Sequence, residues 1–527
     1  ADWIATHFAD RIQDAAEILT RHTATAVELA AATGNQQLAE QTTALLRRYA
    51  VLAADKAANL DSDQALTLLD QALRVTPPDH PDHPEVLLRW GTVAYDAGRL
   101  TEAATALATA ATAFEAAGNL EAALRALIPL SRVYGLVDPH LERANDHRIA
   151  VLLDRVPAGP AAVDALSGVA VGEFLSGRRE DGLALADRAV VMATDLGTPG
   201  VQAYFARGMI RGANGDLAAL DDLQRSRDMA VELGASSERT AASGHGLAMT
   251  QWAAIGPATA LSTYTDVAEF ASARHLRAWR DTVAASTIQP LVETGQLTTA
   301  TAEAEAALPH LLASGNTKFL AEAAAGLARA RLEMGHPKAA EAAELAMTTA
   351  PPSRITWLEM RPIVILPAVM AGLRSGKPSS ARTLLRQLAT QDQPVDGTEY
   401  APRLPGLIRA ALELGDRPLA AALLDRLETD LAVRDHAAVT SSALLAQANG
   451  DHESAAELFA DAAARWQAFT NYLEHAYALL GQARNLFALH HPDAAGVLQA
   501  ARAAFTDMNG QLGIGYCDAL LTHADTG

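Results

Sequence analysis

Apolar residues recur along this chain at three- and four-residue spacing, as in the stretch TEAATALATAATAFEAAG from Thr101, and no run alternates with a period of two. Each such stretch carries one apolar stripe, which predicts helices throughout and no sheet. Alanine, leucine, glutamate, arginine and glutamine dominate, and all are good helix formers. Glycine interrupts the stretches where a helix C-cap belongs. The interruptions are regular. Turns fall at Leu60, Gly98, Asp138, Gly177, Gly215, Gly256, Gly295, Gly335, Gly376, Gly415, Gly450 and His490, at spacings of 35 to 41 that average about 39. Five places after each turn stand Ala65, Ala103, Arg143, Gly182, Leu220, Leu261, Ala300, Ala340, Ala381, Ala420, Ala455 and Ala495, nine of twelve being alanine or glycine. A second set of breaks lies between them, at Gly118, Gly159, Gly197, Gly234, Gly315, Pro351 and Gly510.

Each period is therefore a hairpin of two helices, with a small residue early in the second helix that lets the pair approach closely. One hairpin cannot bury its apolar face alone, whereas stacked neighbours share a continuous core. The expected fold is all-α, a right-handed α-solenoid of about twelve hairpins. Residues 1–44 read as N-terminal capping helices, roughly Trp3 to Thr20 and Ala24 to Thr33, and residues 45–527 as the repeat superhelix. Pro129, Pro290 and Pro367 fall in first helices, where they should kink or shorten them. The segment Thr76 to Glu85, TPPDHPDHPE, is the one proline-dense loop.

Composition narrows the function. The chain has 527 residues, 42 basic against 62 acidic side chains and a net charge of −20. That field repels phosphate backbones and anionic lipid, so neither a nucleic-acid nor a membrane partner is expected. No apolar run approaches the roughly 20 residues of a membrane span. The opening ADWIATHFAD lacks the features of a signal peptide and starts inside an amphipathic pattern, as a piece of a longer or processed chain would. A single cysteine, Cys517, excludes an internal disulfide and fits a reducing cytosol. Lysine occurs only at Lys56, Lys318, Lys338 and Lys377, a bias towards arginine that suits a GC-rich bacterial genome.

Catalytic and cofactor motifs are thin. GLRSGKPS from Gly372 is one glycine spacing short of a phosphate loop, with Pro378 where the hydroxyl belongs, so it reads as a turn. No GxSxG or HExxH string occurs. His80 and His83 lie among Asp79, Asp82 and Glu85, but three prolines splay them, and no metal or cofactor is assigned. No catalytic residue is assigned and no enzyme is expected. One basic patch stands out in ARHLRAWRD, where Arg274, Arg277 and Arg280 flank His275 and Trp279 and could grip an anion.

The segment Leu87 to Asn119 is similar to a tetratricopeptide repeat, with Gly91 and Ala103 at the family's small positions, Ala110 at the later one and Tyr95 one place past the usual aromatic. The period near 39 exceeds the family's 34. The first 120 residues or so, from DWIATHFADRI through VLLRWG, further resemble the region that follows the nucleotide-binding modules of bacterial STAND-type signal-transduction ATPases. Relatives there carry adenylate-cyclase or LuxR-type DNA-binding domains. The resemblance implies a sensor or scaffold arm of a cytoplasmic regulator, binding a protein, a peptide or a small-molecule inducer and joined to ATPase and effector modules outside this sequence. A free-standing peptide receptor of the quorum-sensing kind is the alternative. In such solenoids ligands lie on the concave face, formed by first helices. Six residues before the turn that face reads Arg132, Arg329, Arg409 and Arg484, with Gln289 in the same register, a ladder suited to carboxylates.

Overall fold

The computed structural model describes residues 11–175, 177–233, 237–351, 360–390, 397–427 and 431–524; the expected start at Trp3 and the break at Gly234 lie outside them. Among the described residues every regular element is helical. Twelve hairpins follow one another, each turning at one of the twelve predicted positions. In hairpins 1 to 6 the first helices are Gln36–Ala57, His83–Asp96, Leu120–Val137, Pro160–Leu175, Val201–Ala213 and Ser237–Ala254. In hairpins 7 to 12 they are Arg277–Glu293, Thr317–Glu333, Met360–Arg374, Leu404–Glu413, Ala432–Ala448 and Tyr472–Ala488. The helices Ile12–Thr33 and Gln511–Ala524 flank the array. The result is an α-solenoid.

Local chemistry makes the turns. At Gly98 the backbone is left-handed (φ 76°), its N–H bonds Tyr95 O at 2.9 Å, and the next N–H reaches Ala94 O at 2.8 Å, which closes the helix as a Schellman cap. Helix starts are capped in turn: the side chains of Asn119, Asn316, Asp416 and Asp451 each accept the N–H three residues on. Pro129, Pro290 and Pro367 lie inside first helices that continue through them.

The small-residue phase holds, with a correction. Ala65, Ala103, Gly182, Ala300, Ala381, Ala420 and Ala455 are buried as expected, but in four hairpins the buried residue comes one place early, at Ala219, Ala260, Ala339 and Ala494. In three of these the second helix opens with an i→i+3 bond, to Ala219, Ala339 or Ala494 from the carbonyl three residues back. That tighter winding brings the helix face round to the core sooner. The N-terminal reading also changes. Ile12–Thr33 is a single helix, within which the Thr20 and Thr23 hydroxyls donate to carbonyls four residues back. The boundary at residue 44 falls within Gln36–Ala57.

From hairpin 2 onward, first helices pack on the first helices of adjoining hairpins and form the inner wall; second helices lie outside. The coil then meets itself. The first helix of hairpin 2 touches that of hairpin 7, and the pairs 3 and 8, 6 and 11, and 7 and 12 do the same. One superhelical turn thus takes about five hairpins, and consecutive turns are in contact along a seam. Polar atoms stitch the seam. Ser237 Oγ donates to Asn59 O (3.1 Å), Ser62 Oγ to His275 O (2.8 Å), Thr317 Oγ1 to Val137 O (2.9 Å) and Arg434 Nη2 to Ala213 O (2.7 Å). Most of these acceptors lie at helix C-termini, where carbonyls lack a partner within their own helix.

Gly256 sits on this seam with φ 136°, and a Cβ there would stand 2.1 Å from Phe469 O. Gly118 has a similar turn role (φ 73°) with nothing within 4 Å. Gly118→Ala should cost only about 1 kcal/mol of backbone strain. Gly256→Ala should cost several-fold more and loosen the coil. Urea titration with small-angle scattering checks this: equal losses for the two variants, with unchanged dimensions, would contradict a packed seam.

Candidate functional site

A cavity of about 520 Å³ lies on the concave face of the first superhelical turn. Its walls come from the first helices of hairpins 1, 2, 3, 4 and 6. The lining carries many ionic side chains, most of them paired. Arg89 Nε holds Asp55 at 3.1 Å, and Arg125 Nη2 holds Glu85 at 2.9 Å, with Arg89 on the same carboxylate. These two arginines keep Glu85 below the usual carboxylate range although burial works the other way. Arg132 Nη1 donates to Glu238 Oε2 at 2.7 Å, and Arg239 pairs with Asp164.

One carboxyl is left over. Asp96 lines the cavity at 6% exposure, and its Oδ1 has no hydrogen-bond partner. Burial, reinforced by the nearby Glu238 charge, pushes its pKa far above the ordinary value, with Arg132 opposing. Burial thus works against the charged form of Asp96. Its position is itself unfavourable, since it ends the helix His83–Asp96, where the helix dipole disfavours an acid. The sequence could not have singled it out, because Glu293, Glu333 and Glu413 also end first helices two places before a turn glycine.

The predicted ladder takes three different places. Arg132 lines the first-turn cavity. Gln289, Arg329 and Arg409 are drawn into the interior of the coil. Gln289 is buried against Gly326, and Arg329 Nε donates to Glu333 Oε1 at 2.9 Å in its own helix. Arg409 grips Glu474 through both terminal nitrogens, at 2.8 and 2.5 Å, and stacks 4.3 Å above the Tyr477 ring. Tyr477 in turn donates to Glu333 at 2.6 Å. Arg484 lines a cavity of the second turn, whose wall Arg409 also reaches. The ladder positions thus share the inner wall, and what each meets depends on the coil.

The basic patch falls on the seam. Arg277 pairs with Asp63 of hairpin 1, Arg280 with Asp281 at 3.0 Å, and Arg274 lies 3.9 Å from the Phe270 ring centroid. Asp61, Asp63 and His275 also converge there, with ligand atoms within 4.8 Å. Asp61 Oδ1, however, already caps its helix by accepting from Asp63 and Gln64. His83 bonds Thr76 O at 2.7 Å, and His80 lies against Arg47, a poor neighbour for a cation. Cys517 is buried, with its thiol pKa pushed up to about 11 by desolvation. The Gly372 string is an ordinary turn, with Lys377 N–H bonded to Gly372 O at 2.8 Å. Among the described residues no helix is long and apolar enough to cross a membrane.

No protein-family model matches the chain, and no curated protein matches it. Among solved structures it is similar to a Rap protein complexed with competence and sporulation factor, at 12% identity, 70% of this chain, 99% of that one and a TM-score of 0.49. It is similar to a signal-transduction ATPase with numerous domains carrying a tetratricopeptide repeat sensor, from Pyrococcus horikoshii. There the identity is 12%, the coverage 68% of this chain and 54% of that one, and the TM-score 0.38. The Cut9–Hcn1 hetero-tetramer of the APC/C matches at 12% identity, 87% and 90% coverage and a TM-score of 0.42. All three superpositions are loose, and nothing about ligand or partner follows from them for this chain.

The interior network makes a prediction about pH. Glu293 is buried, accepts from Trp252 Nε1 at 2.7 Å, and has its pKa raised to about 7 by desolvation, against the pull of Arg403. Between about pH 4.5 and 7 the folded chain holds a proton that the unfolded chain has lost, so stability falls as pH rises through that window. Glu293→Gln keeps an acceptor for Trp252 and removes the ionisation. It should melt higher than the parent at pH 8, by up to about 3 kcal/mol, with the gap closing by pH 5. Melting curves across that range test it; a gap independent of pH would rule it out.

Proposed function

We propose that this chain is a non-enzymatic binding arm that takes a short zwitterionic ligand, such as a small peptide, in the concave cavity of its first turn. The observation that carries the reading is a built pocket holding one surplus carboxyl, Asp96, beside the paired ions of Glu238, Arg132, Arg239 and Asp164. Its volume, about 520 Å³, is that of a small-ligand site rather than an extended protein interface. An ammonium group would give the Asp96 oxygen its missing donor, and a carboxylate would compete with Asp55 and Glu85 for the partly exposed Arg89 and Arg125.

Binding at this place couples to curvature. Glu238 and Arg239 come from hairpin 6, next to Ser237, which bonds Asn59 of hairpin 1 across the seam. A ligand bridging the two walls favours the closed coil over a looser one by its differential affinity. Within a larger polypeptide that shift in curvature would be the output. The resemblance of the first 120 residues supports an arm of a bacterial regulatory ATPase, with residues 1–44 as its cap; the reading frame upstream of Ala1 decides between that and a free-standing receptor.

The test uses Ala-Lys-Ala with free termini and the same peptide N-acetylated. The free peptide should raise the melting temperature through linkage, and the acetylated one should not. Asp96→Asn should weaken the free peptide by at least about tenfold, or 1.4 kcal/mol, while the ligand-free variant melts no lower than the parent. No shift at millimolar peptide, or equal shifts for the two peptides, would reject the site.

A further inference from the structure

The second superhelical turn holds a cavity of about 480 Å³, lined by the first helices of hairpins 10 to 12 and by Gln511–Ala524. We infer that this cavity is a second and independent binding site, for an organic carboxylate with an apolar body, anchored by Arg484. Its chemistry is the inverse of the first-turn cavity. Arg484 is half-buried and stacks over the Tyr516 ring at 5.6 Å, with no carboxylate within reach of its guanidinium among the described residues. Desolvation by burial holds its pKa below the usual arginine value, and the nearby Arg409 charge pushes the same way. A cation in that setting costs free energy until an anion joins it.

The other polar groups at the cavity are set to donate or are already occupied. Asn485 Nδ2 donates to Gln447 Oε1 at 2.9 Å, which turns the Gln447 amide nitrogen into the available end. Arg374 donates to the Tyr516 hydroxyl, leaving its O–H as a donor. Arg409 is neutralised by Glu474 through two bonds. The lining carboxylate, Glu413, sits at the rim at 46% exposure, 3.6 Å from Arg374. Leu412, Leu444, Leu480 and Phe459 supply the remaining wall. One guanidinium with one amide suits a carboxylate head, and the apolar wall suits a hydrocarbon or aromatic body. A free phosphate would leave that wall wet.

The experiment is calorimetry on the full chain with 4-phenylbutyrate, 4-phenylbutyramide, inorganic phosphate, and the N-acetylated tripeptide Ala-Ala-Phe, which lacks the ammonium the first cavity requires, as acid and as C-terminal amide. Both acids should bind and both amides should be at least tenfold weaker, and the tighter acid tells whether a free acid or a peptide C-terminus is the better source. Arg484→Gln should abolish the acid-over-amide preference with helicity unchanged by circular dichroism, and Arg484→Lys should restore part of it. The Ala-Lys-Ala response of the first cavity should be the same in both variants, which separates failure here from failure there. Equal binding of acid and amide, an undiminished preference in Arg484→Gln, phosphate binding in place of the acids, or no binding of any probe would each overturn the assignment.

Discussion

The coil closes on itself after about five hairpins, and that closure governs the rest of the molecule. In an open solenoid the inner wall faces solvent and its polar residues need no protein partner. Here the inner wall of one turn meets the next, so guanidinium and carboxylate groups leave water and must find one another. Arginine meets this demand well, being always charged and forked to match a carboxylate. Arg409 and Glu474 make a two-bond pair, and Tyr477 and Glu333 extend it to a helix four hairpins earlier. Removing one member of such a network strands a buried charge, which costs far more than the pair contributes.

Alanine makes the closure sterically available. With aromatic residues at 5% the chain has few large side chains, and its helices approach closely enough that glycine is needed at several crossings. A Cβ on Gly91 would sit 2.7 Å from Leu107 Cγ, and one on Gly481 2.5 Å from Phe459. Repeat arrays ordinarily couple each unit only to its neighbours. The seam adds a second coupling, between units five apart, through bonds such as Thr317 to Val137. A change at one hairpin is thereby felt both along the stack and across it.

Against a background of paired ions, one side chain at each of the two cavities has no ion-pair partner among the described residues. Asp96 is the surplus acid of the first turn, and Arg484 is the surplus base of the second. Each lines a cavity of roughly ligand size.

The hairpin count, the turn positions and the buried small residues were legible in the sequence because they are local. Glycine caps such as Gly98 and helix-facing alanines such as Ala103 act within a dozen residues of themselves. The shift from Leu220 to Ala219 was not legible, since it depends on whether a helix opens with an i→i+3 bond. The inner-wall register of Arg132, Arg329, Arg409 and Arg484 could be read from the repeat phase. Their fates could not. Arg132 finds Glu238 across 106 residues and Arg409 finds Glu474 across 65, whereas Arg484 finds no carboxylate. Periodicity determines which face of a helix a residue occupies; the number of hairpins per superhelical turn determines what that face meets. That number is the accumulated sum of many small rotations between hairpins, and only the assembled tertiary structure sets it.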